Sequence, residues 1–185
     1  MAVKFMQVSL IAAISADGFI AQQPDQASVS WTSQADKKFF AELTRQIGVV
    51  VMGRRTFATI GHPLSDRLNL IYTRQSRQVL LEEFNLDLNL SRDRLQVTQL
   101  EPQELVAQAA RQGFGQLAVC GGASIYRQFI QAGVVDQVYL TVEPVFFGQG
   151  IALFDQELAV DLELVESRQL NDKGTMLLHY QLKTI

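Results

Sequence analysis

Gly48-Val49-Val50-Val51-Met52-Gly53-Arg54-Arg55-Thr56 is the stretch that decides the fold. A run this short and this continuously apolar reads as a strand in the middle of a sheet that is covered on both faces. Gly53 ends the strand, and Arg54 to Ile60 reads as a short helix. A strand that ends in glycine and feeds a helix turns backbone N–H groups outward at the C-terminal edge of the sheet, where anions bind. Arg54, Arg55 and Thr56 add donors suited to phosphate. The alternative is an ordinary solvated basic turn, and phosphate is the favoured reading.

The pattern recurs downstream. Leu117 to Cys120 reads as a strand, Gly121-Gly122 as a turn and Ala123 to Ala132 as a helix. Glycines let a ligand approach the backbone closely. A lone Gly-Gly is most often a plain tight turn, and this one is not the GxGxxG fingerprint. Two phosphate-competent junctions in one sheet favour a dinucleotide more than either does alone.

Working outward, strands alternate with helices, which points to an α/β fold with a largely parallel sheet. Phe5 to Ile14 is the first strand, residues 15 to 31 a loop, and Ser33 to Gln46 a helix with Phe39, Phe40, Leu43 and Ile47 at helical spacing. Leu68 to Thr73 is a strand. The segment from 78 to 98 fits neither period cleanly. Pro102 suits the first turn of a helix reaching Gln112. Val138 to Phe147 is a long strand. Leu162 to Gln169 and Met176 to Leu182 form a closing hairpin around Asn171-Asp172-Lys173-Gly174.

Composition narrows the function classes. The chain has 185 residues, of which 48% are hydrophobic and 19% charged, with a net charge of −3. That suits one globular domain and gives no basic footprint for nucleic acid. The apolar run from Val8 to Ile14 is too short to span a membrane, and no cleavage site follows it to make it a signal peptide. One cysteine, Cys120, excludes an internal disulfide and agrees with a cytoplasmic setting. His62 and His179 are the only histidines, so no metal-ligand cluster is expected. Neither a GxSxG elbow nor a P-loop is present. A redox cofactor would supply the reactivity that the side chains lack.

Two further residues stand out. Asp36 falls on the apolar face of its helix, where a carboxyl acquires a raised pKa and can donate a proton. Ser33 to Asp36 also fits a capping box, and from this segment alone the cap is favoured. Arg67 could hold a substrate carboxylate or phosphate, but spacing alone favours a surface ion pair with Asp66 or another acid.

Taken in order, several motifs resemble the dihydrofolate reductase superfamily, which includes the reductase domain of the riboflavin-pathway deaminase–reductase. They are Ser9-Leu10-Ile11-Ala12-Ala13, Asp17-Gly18-Phe19-Ile20-Ala21, the Trp31 to Asp36 spacing, Met52 to Phe57, Ile60 to Leu64, Gly121 to Tyr126 and Tyr139-Leu140-Thr141. The resemblance runs from Ser9 to about Phe154. It implies a dihydrofolate-reductase-like three-layer fold: a central mostly parallel sheet, flanking helices and a C-terminal antiparallel hairpin. It also implies an NADPH site across the strand ends.

Position by position, the resemblance makes Asp36 the acid that assists protonation of the substrate ring, with Trp31 and Thr141 beside it. Phe40, Arg67 and Ile11 become substrate contacts, Arg67 through a carboxylate. Gly53, Arg54, Arg55, Thr56, Thr73 and Arg74 become cofactor contacts, as do Cys120, Gly121, Gly122, Ala123, Ser124, Ile125 and Tyr126. Ala13 and Ile20 lie near the nicotinamide. Asp36, Arg67 and Thr141 look like the folate branch. Asp17-Gly18 and the run Glu143 to Gly150 look like the riboflavin branch, whose members lead us to expect a homodimer. A non-catalytic nucleotide-binding module on the same fold is the reading from another class.

Overall fold

The computed structural model describes residues 6–183, apart from 91 and 155. Along the chain the elements are β1 (Gln7–Ser15), β2 (Phe19–Ala21), α1 (Gln34–Ile47), β3 (Val49–Gly53), α2 (Arg54–Ile60), β4 (Leu68–Tyr72), α3 (Arg77–Glu83) and β5 (Leu95–Thr98). They continue with α4 (Pro102–Arg111), β6 (Gln116–Val119), α5 (Ala123–Gln131), β7 (Gln137–Glu143), β8 (Ile151–Ala152), β9 (Leu162–Gln169) and β10 (Met176–Leu182).

The apolar run at Val49–Met52 is fully buried, and its side chains alternate between two cores. Val49 and Val51 join Leu105 of α4 and Phe129 of α5 on one face. Val50 and Met52 join Ile47 of α1, Phe57 of α2 and Leu80 of α3 on the other. The molecule is therefore three layers: helices, sheet, helices. The eight strands run β5-β4-β3-β6-β1-β7-β10-β9. The first six pair in parallel, and β10 lies antiparallel between β7 and β9. A separate two-stranded pairing joins β2 to β8.

This order places the crevice. After β3 the chain moves through α2 to β4 on one side, and after β6 it moves through α5 to β7 on the other. Neighbouring strands β3 and β6 thus send their helices in opposite directions. Beyond their C-terminal ends lies the switch point where open α/β sheets bind ligands.

Several expected boundaries shift. The first strand runs to Ser15, and Phe5 lies outside the described residues. Within 15–31 there is a short strand, β2, and a 3-10 turn at Ser28–Ser30, both too brief to leave a periodic signature. The unassigned 78–98 segment holds most of α3 and all of β5. Ser76 caps α3 by accepting the Val79 N–H. The strand expected to reach Phe147 stops at Glu143. Pro144 has no N–H to continue the ladder, and the Phe147 and Gly148 N–H groups turn to the Asp17 carboxylate instead. The closing hairpin stands as read, with Gly174 at φ +91° in its turn.

Candidate active site

Because β1, β3, β6 and β7 are parallel, their C-terminal ends share one edge. On β7 every second residue faces α1: Tyr139, Thr141, then Glu143. In register on β1 stand Ile11, Ala13 and Ser15. Helix α1 begins over this strip. Ser33 is its N-cap, accepting the Asp36 N–H at 3.2 Å, and Gly48 at φ +83° ends it.

Asp36 is the centre of the site. It is only 8% exposed, among apolar and hydroxyl groups. Burial pushes its carboxyl above the ordinary carboxylate range. The Thr32 and Thr141 hydroxyls face it and pull the other way, and the nearby Glu143 charge pushes it further up. In the same stretch Trp31 Nε1 is buried with no hydrogen-bond partner among the described residues. Buried polar groups are almost always paired, so the unpaired indole N–H calls for an account of its own. The Trp31 ring packs edge-on against Phe147, with ring centroids 5.0 Å apart. Asp17 fixes the loop carrying Phe147. Its carboxylate accepts from the Ser15 hydroxyl at 2.6 Å and the Gly148 N–H at 2.7 Å, and these bonds hold its pKa below the usual value, the Ser15 bond most of all.

The capping box is only half formed. Ser33 caps the Asp36 amide, but the return bond to the Ser33 N–H comes from Glu143 Oε1 at 2.7 Å, not from Asp36. Glu143 is 4% exposed, and its other oxygen accepts from Thr175 Oγ1 at 2.8 Å. Sequence reasoning placed Glu143 in a motif but not in the site. Its signal was available: an acid two residues after Thr141 on a strand must share its face.

The two glycine junctions lie side by side. The Cys120 N–H donates to Val51 C=O and the Gly53 N–H to Gly121 C=O, each at 2.8 Å. Gly53 and Gly122 are the N-caps of α2 and α5, and neither helix start is capped by a side chain. Gly121 sits at φ +113°, and the Gly121–Gly122 peptide is cis. A Cβ on Gly121 would lie 3.2 Å from the Tyr126 hydroxyl, and one on Gly122 would lie 3.3 Å from Thr56 Oγ1. Ile125 packs under Gly53, 3.2 Å from where its Cβ would be. The Tyr126 hydroxyl donates to Ile11 C=O at 2.7 Å. Ala123 is half-buried and Ser124 exposed at the start of α5. Backbone N–H groups beside side-chain-free positions fit a dinucleotide's phosphates.

The cationic side chains divide. Arg55 and Arg74 are exposed at this edge. Arg54 is committed elsewhere: it pairs with Glu83 of α3, and its Nε donates to Gln75 Oε1 at 2.8 Å. It braces α2 against the segment after β4, which departs from its expected phosphate role. Thr73 Oγ1 accepts the Gln75 N–H at 3.1 Å in the same segment. Arg67 is not on the surface. It is 6% exposed, donates through Nε to Ser65 C=O and through Nη1 to Thr44 Oγ1, and burial lowers its pKa. The surface ion pair of Asp66 is with Arg45 instead, at 3.6 Å. Phe40 is half-buried against the α1-side core, which also holds Ile11 and Cys120. Ile20 is half-buried against the opposite core. Burial raises the Cys120 thiol to about 12, and its side chain packs in the α1-side core. Among the described residues no group of three or more His, Cys, Asp or Glu could hold a metal ion, and no helix is long and apolar enough to cross a membrane.

Residues 7–176 match the model of the RibD C-terminal domain. Over 71 residues the chain is 38% identical to the dihydrofolate reductase type A13 of Escherichia coli, a match spanning 38% of this chain and 41% of that protein. In structure it is similar to a pyrimidine reductase-like protein of Corynebacterium diphtheriae, with a TM-score of 0.74 and 16% identity over 97% of this chain and 93% of that one. It is also similar to a diaminohydroxyphosphoribosylaminopyrimidine deaminase/5-amino-6-(5-phosphoribosylamino)uracil reductase of Thermotoga maritima. There the TM-score is 0.77 at 15% identity, covering 97% of this chain and 57% of the longer protein. At these identities the structural likenesses speak to the fold.

Proposed function

The chain belongs to the RibD C-terminal domain family, and on that premise we propose that its 185 residues form one NADPH-dependent reductase domain acting on a C=N bond of a pterin or pyrimidine. The observation that carries this reading is Asp36. It is a buried carboxyl faced by the Thr32 and Thr141 hydroxyls, and the return bond to its helix cap is supplied by another residue. It stands at the same sheet edge as two uncapped helix starts.

NADPH would be held by the N–H groups after Gly53 and Gly122, by Thr56 and Ser124, and by the free cations Arg55 and Arg74; when bound it supplies the hydride. The chain's own contribution is a proton. Reduction of C=N needs hydride at carbon and a proton at nitrogen, and an acid with a raised pKa keeps that proton near neutral pH. Thr141 and Thr32 orient the carboxyl, Phe40 and Ile11 wall the ring, and Trp31 covers the opening with Phe147. Two donors of Arg67 are spent on protein groups, and its Nη2 is left for a substrate anion.

The pterin reading rests on Asp36 with Thr141 and Arg67. A second reading, reduction of 5-amino-6-(5-phosphoribosylamino)uracil, is favoured by the family match over residues 7–176. Following NADPH absorbance with dihydrofolate and with the ribosylaminopyrimidine phosphate in separate assays decides between them. Failure to perturb NADPH fluorescence at millimolar cofactor would remove the reductase reading altogether. Binding without turnover on either heterocycle would leave a nucleotide-binding module.

A further inference from the structure

We propose that Glu143 is a positioning residue for Asp36: by taking the Ser33 amide it leaves the Asp36 carboxyl facing the substrate instead of closing a capping box. This rests on Asp36 being the acid. In a Ser-x-x-acid capping box, the acid at the third helical position reaches back to the N-cap N–H. Here Ser33 and Asp36 have that spacing, and half of the box exists, since the Asp36 amide donates to Ser33 Oγ at 3.2 Å. The other half has been replaced. Ser33 N–H donates to Glu143 Oε1 at 2.7 Å, from a strand 110 residues away in sequence.

Glu143 is itself held. Thr175, fully buried just before β10, donates to Oε2 at 2.8 Å. Asn171 in the hairpin turn ties to Thr175 twice: its side-chain amide donates to Oγ1 at 2.8 Å, and its Oδ1 accepts the Thr175 N–H at 3.2 Å. The chain of bonds therefore runs from the final hairpin through Glu143 to the N-cap of the Asp36 helix. It fixes where α1 starts over the sheet edge.

Glu143 also places a charge. The other titratable groups that reach Asp36 are Lys37 on its own helix and the Tyr126 phenol from α5. The Tyr126 hydroxyl is committed to Ile11 C=O, and burial keeps it far from ionising near neutral pH. Burial is the main opponent of Asp36 ionisation, and among the charged groups Glu143 from β7 adds to it while Lys37 acts against it.

Two variants separate the geometric from the electrostatic part. In Glu143→Ala the Ser33 amide is freed and Asp36 can close the box. We expect kcat to fall about 10–100-fold, the scale of an ångström-sized displacement of a reacting group, while NADPH binding by fluorescence is unchanged. Glu143→Gln keeps an acceptor for Ser33 and removes the charge. It should recover most of the Glu143→Ala loss in kcat at low pH, while the high-pH fall of kcat/KM moves to lower pH. A Glu143 that is only structural would lower Tm in both variants and move neither kcat nor the pH limb, and that result overturns the proposal. Asp36→Asn, assayed in parallel with the substrate that the wild type turns over, separates the two ideas. Full activity of Asp36→Asn removes the acid reading itself. An inactive Asp36→Asn beside normal Glu143 variants removes only the role of Glu143.

Discussion

Replacing Asp36 by Asn keeps the side chain's size and removes its proton. General acid catalysis is worth roughly 10²–10⁴-fold, or about 3–5 kcal/mol of barrier at 1.36 kcal/mol per decade. The surroundings decide where in that range the loss should fall. A neighbouring acid could stand in, but none is placed to do so. Both Glu143 oxygens are occupied by Ser33 and Thr175, and the Tyr126 hydroxyl is bound to Ile11 with its pKa raised well above 10 by burial. We therefore expect the upper half of the range at neutral pH, with partial recovery at low pH as solvent protonates the substrate. NADPH affinity should be unchanged, because on our proposal the phosphates lie at the glycine junctions. Stability should move the other way. The folded pKa of Asp36 is raised above 3.8, so its stabilising contribution is full below the unfolded pKa and is lost as pH rises through the folded one. Asp36→Asn should therefore match the wild type in acid and gain stability relative to it towards neutral pH, read as Tm against pH. The assay is NADPH consumption with the substrate the wild type turns over. Near-normal turnover by the variant, with at most about 1 kcal/mol of stability lost, would return Asp36 to the role of a helix-start residue.

Four further outcomes test other parts of the structure. Arg55→Ala should erode the preference for NADPH over NADH by about tenfold or more, the worth of one charge-assisted bond to the extra phosphate. Arg54→Ala should leave that preference intact, because Arg54 is bound to Glu83 and Gln75; equal loss for both cofactors in Arg55→Ala, or a loss confined to NADPH in Arg54→Ala, refutes this division. Gly121→Ala forces a side chain into φ +113° and against the Tyr126 hydroxyl. It should cost about 1–3 kcal/mol, roughly 2–12 °C in Tm, and NADPH affinity as well; an unchanged Kd by fluorescence would place the cofactor elsewhere. Phe57 is fully buried and packs edge-on against Phe84, 5.0 Å between centroids, so Phe57→Ala should lose about 3–5 kcal/mol in urea unfolding. Every residue of β9 is exposed, including Leu164 and Val165 on an open sheet edge. Light scattering should give the mass of two chains, reduced to one by Leu164→Lys.

What the sequence made legible follows from which interactions are local. The run Val49–Met52 declared a buried strand because it is apolar at both parities, and the glycines at 53, 121 and 122 declared junctions because each stands between an apolar strand and a helix; in the structure a Cβ would be tight at 53 and 122, and φ is positive at 121. The end of β7 was misread because the competing partner is distant. Asp17, 130 residues before Phe147, takes the N–H groups that would have extended the strand. Arg54 and Arg55 are indistinguishable in sequence, and only the arrival of Glu83 from α3 separates a brace from a free cation. Asp36 shows the same limit at the site itself. Ser33 to Asp36 has the spacing of a capping box, and local reasoning therefore favours a cap. The bond that completes the box comes instead from Glu143. That one tertiary hydrogen bond leaves the buried Asp36 carboxyl outside the box, which our proposal builds on, and nothing in the local sequence announces it.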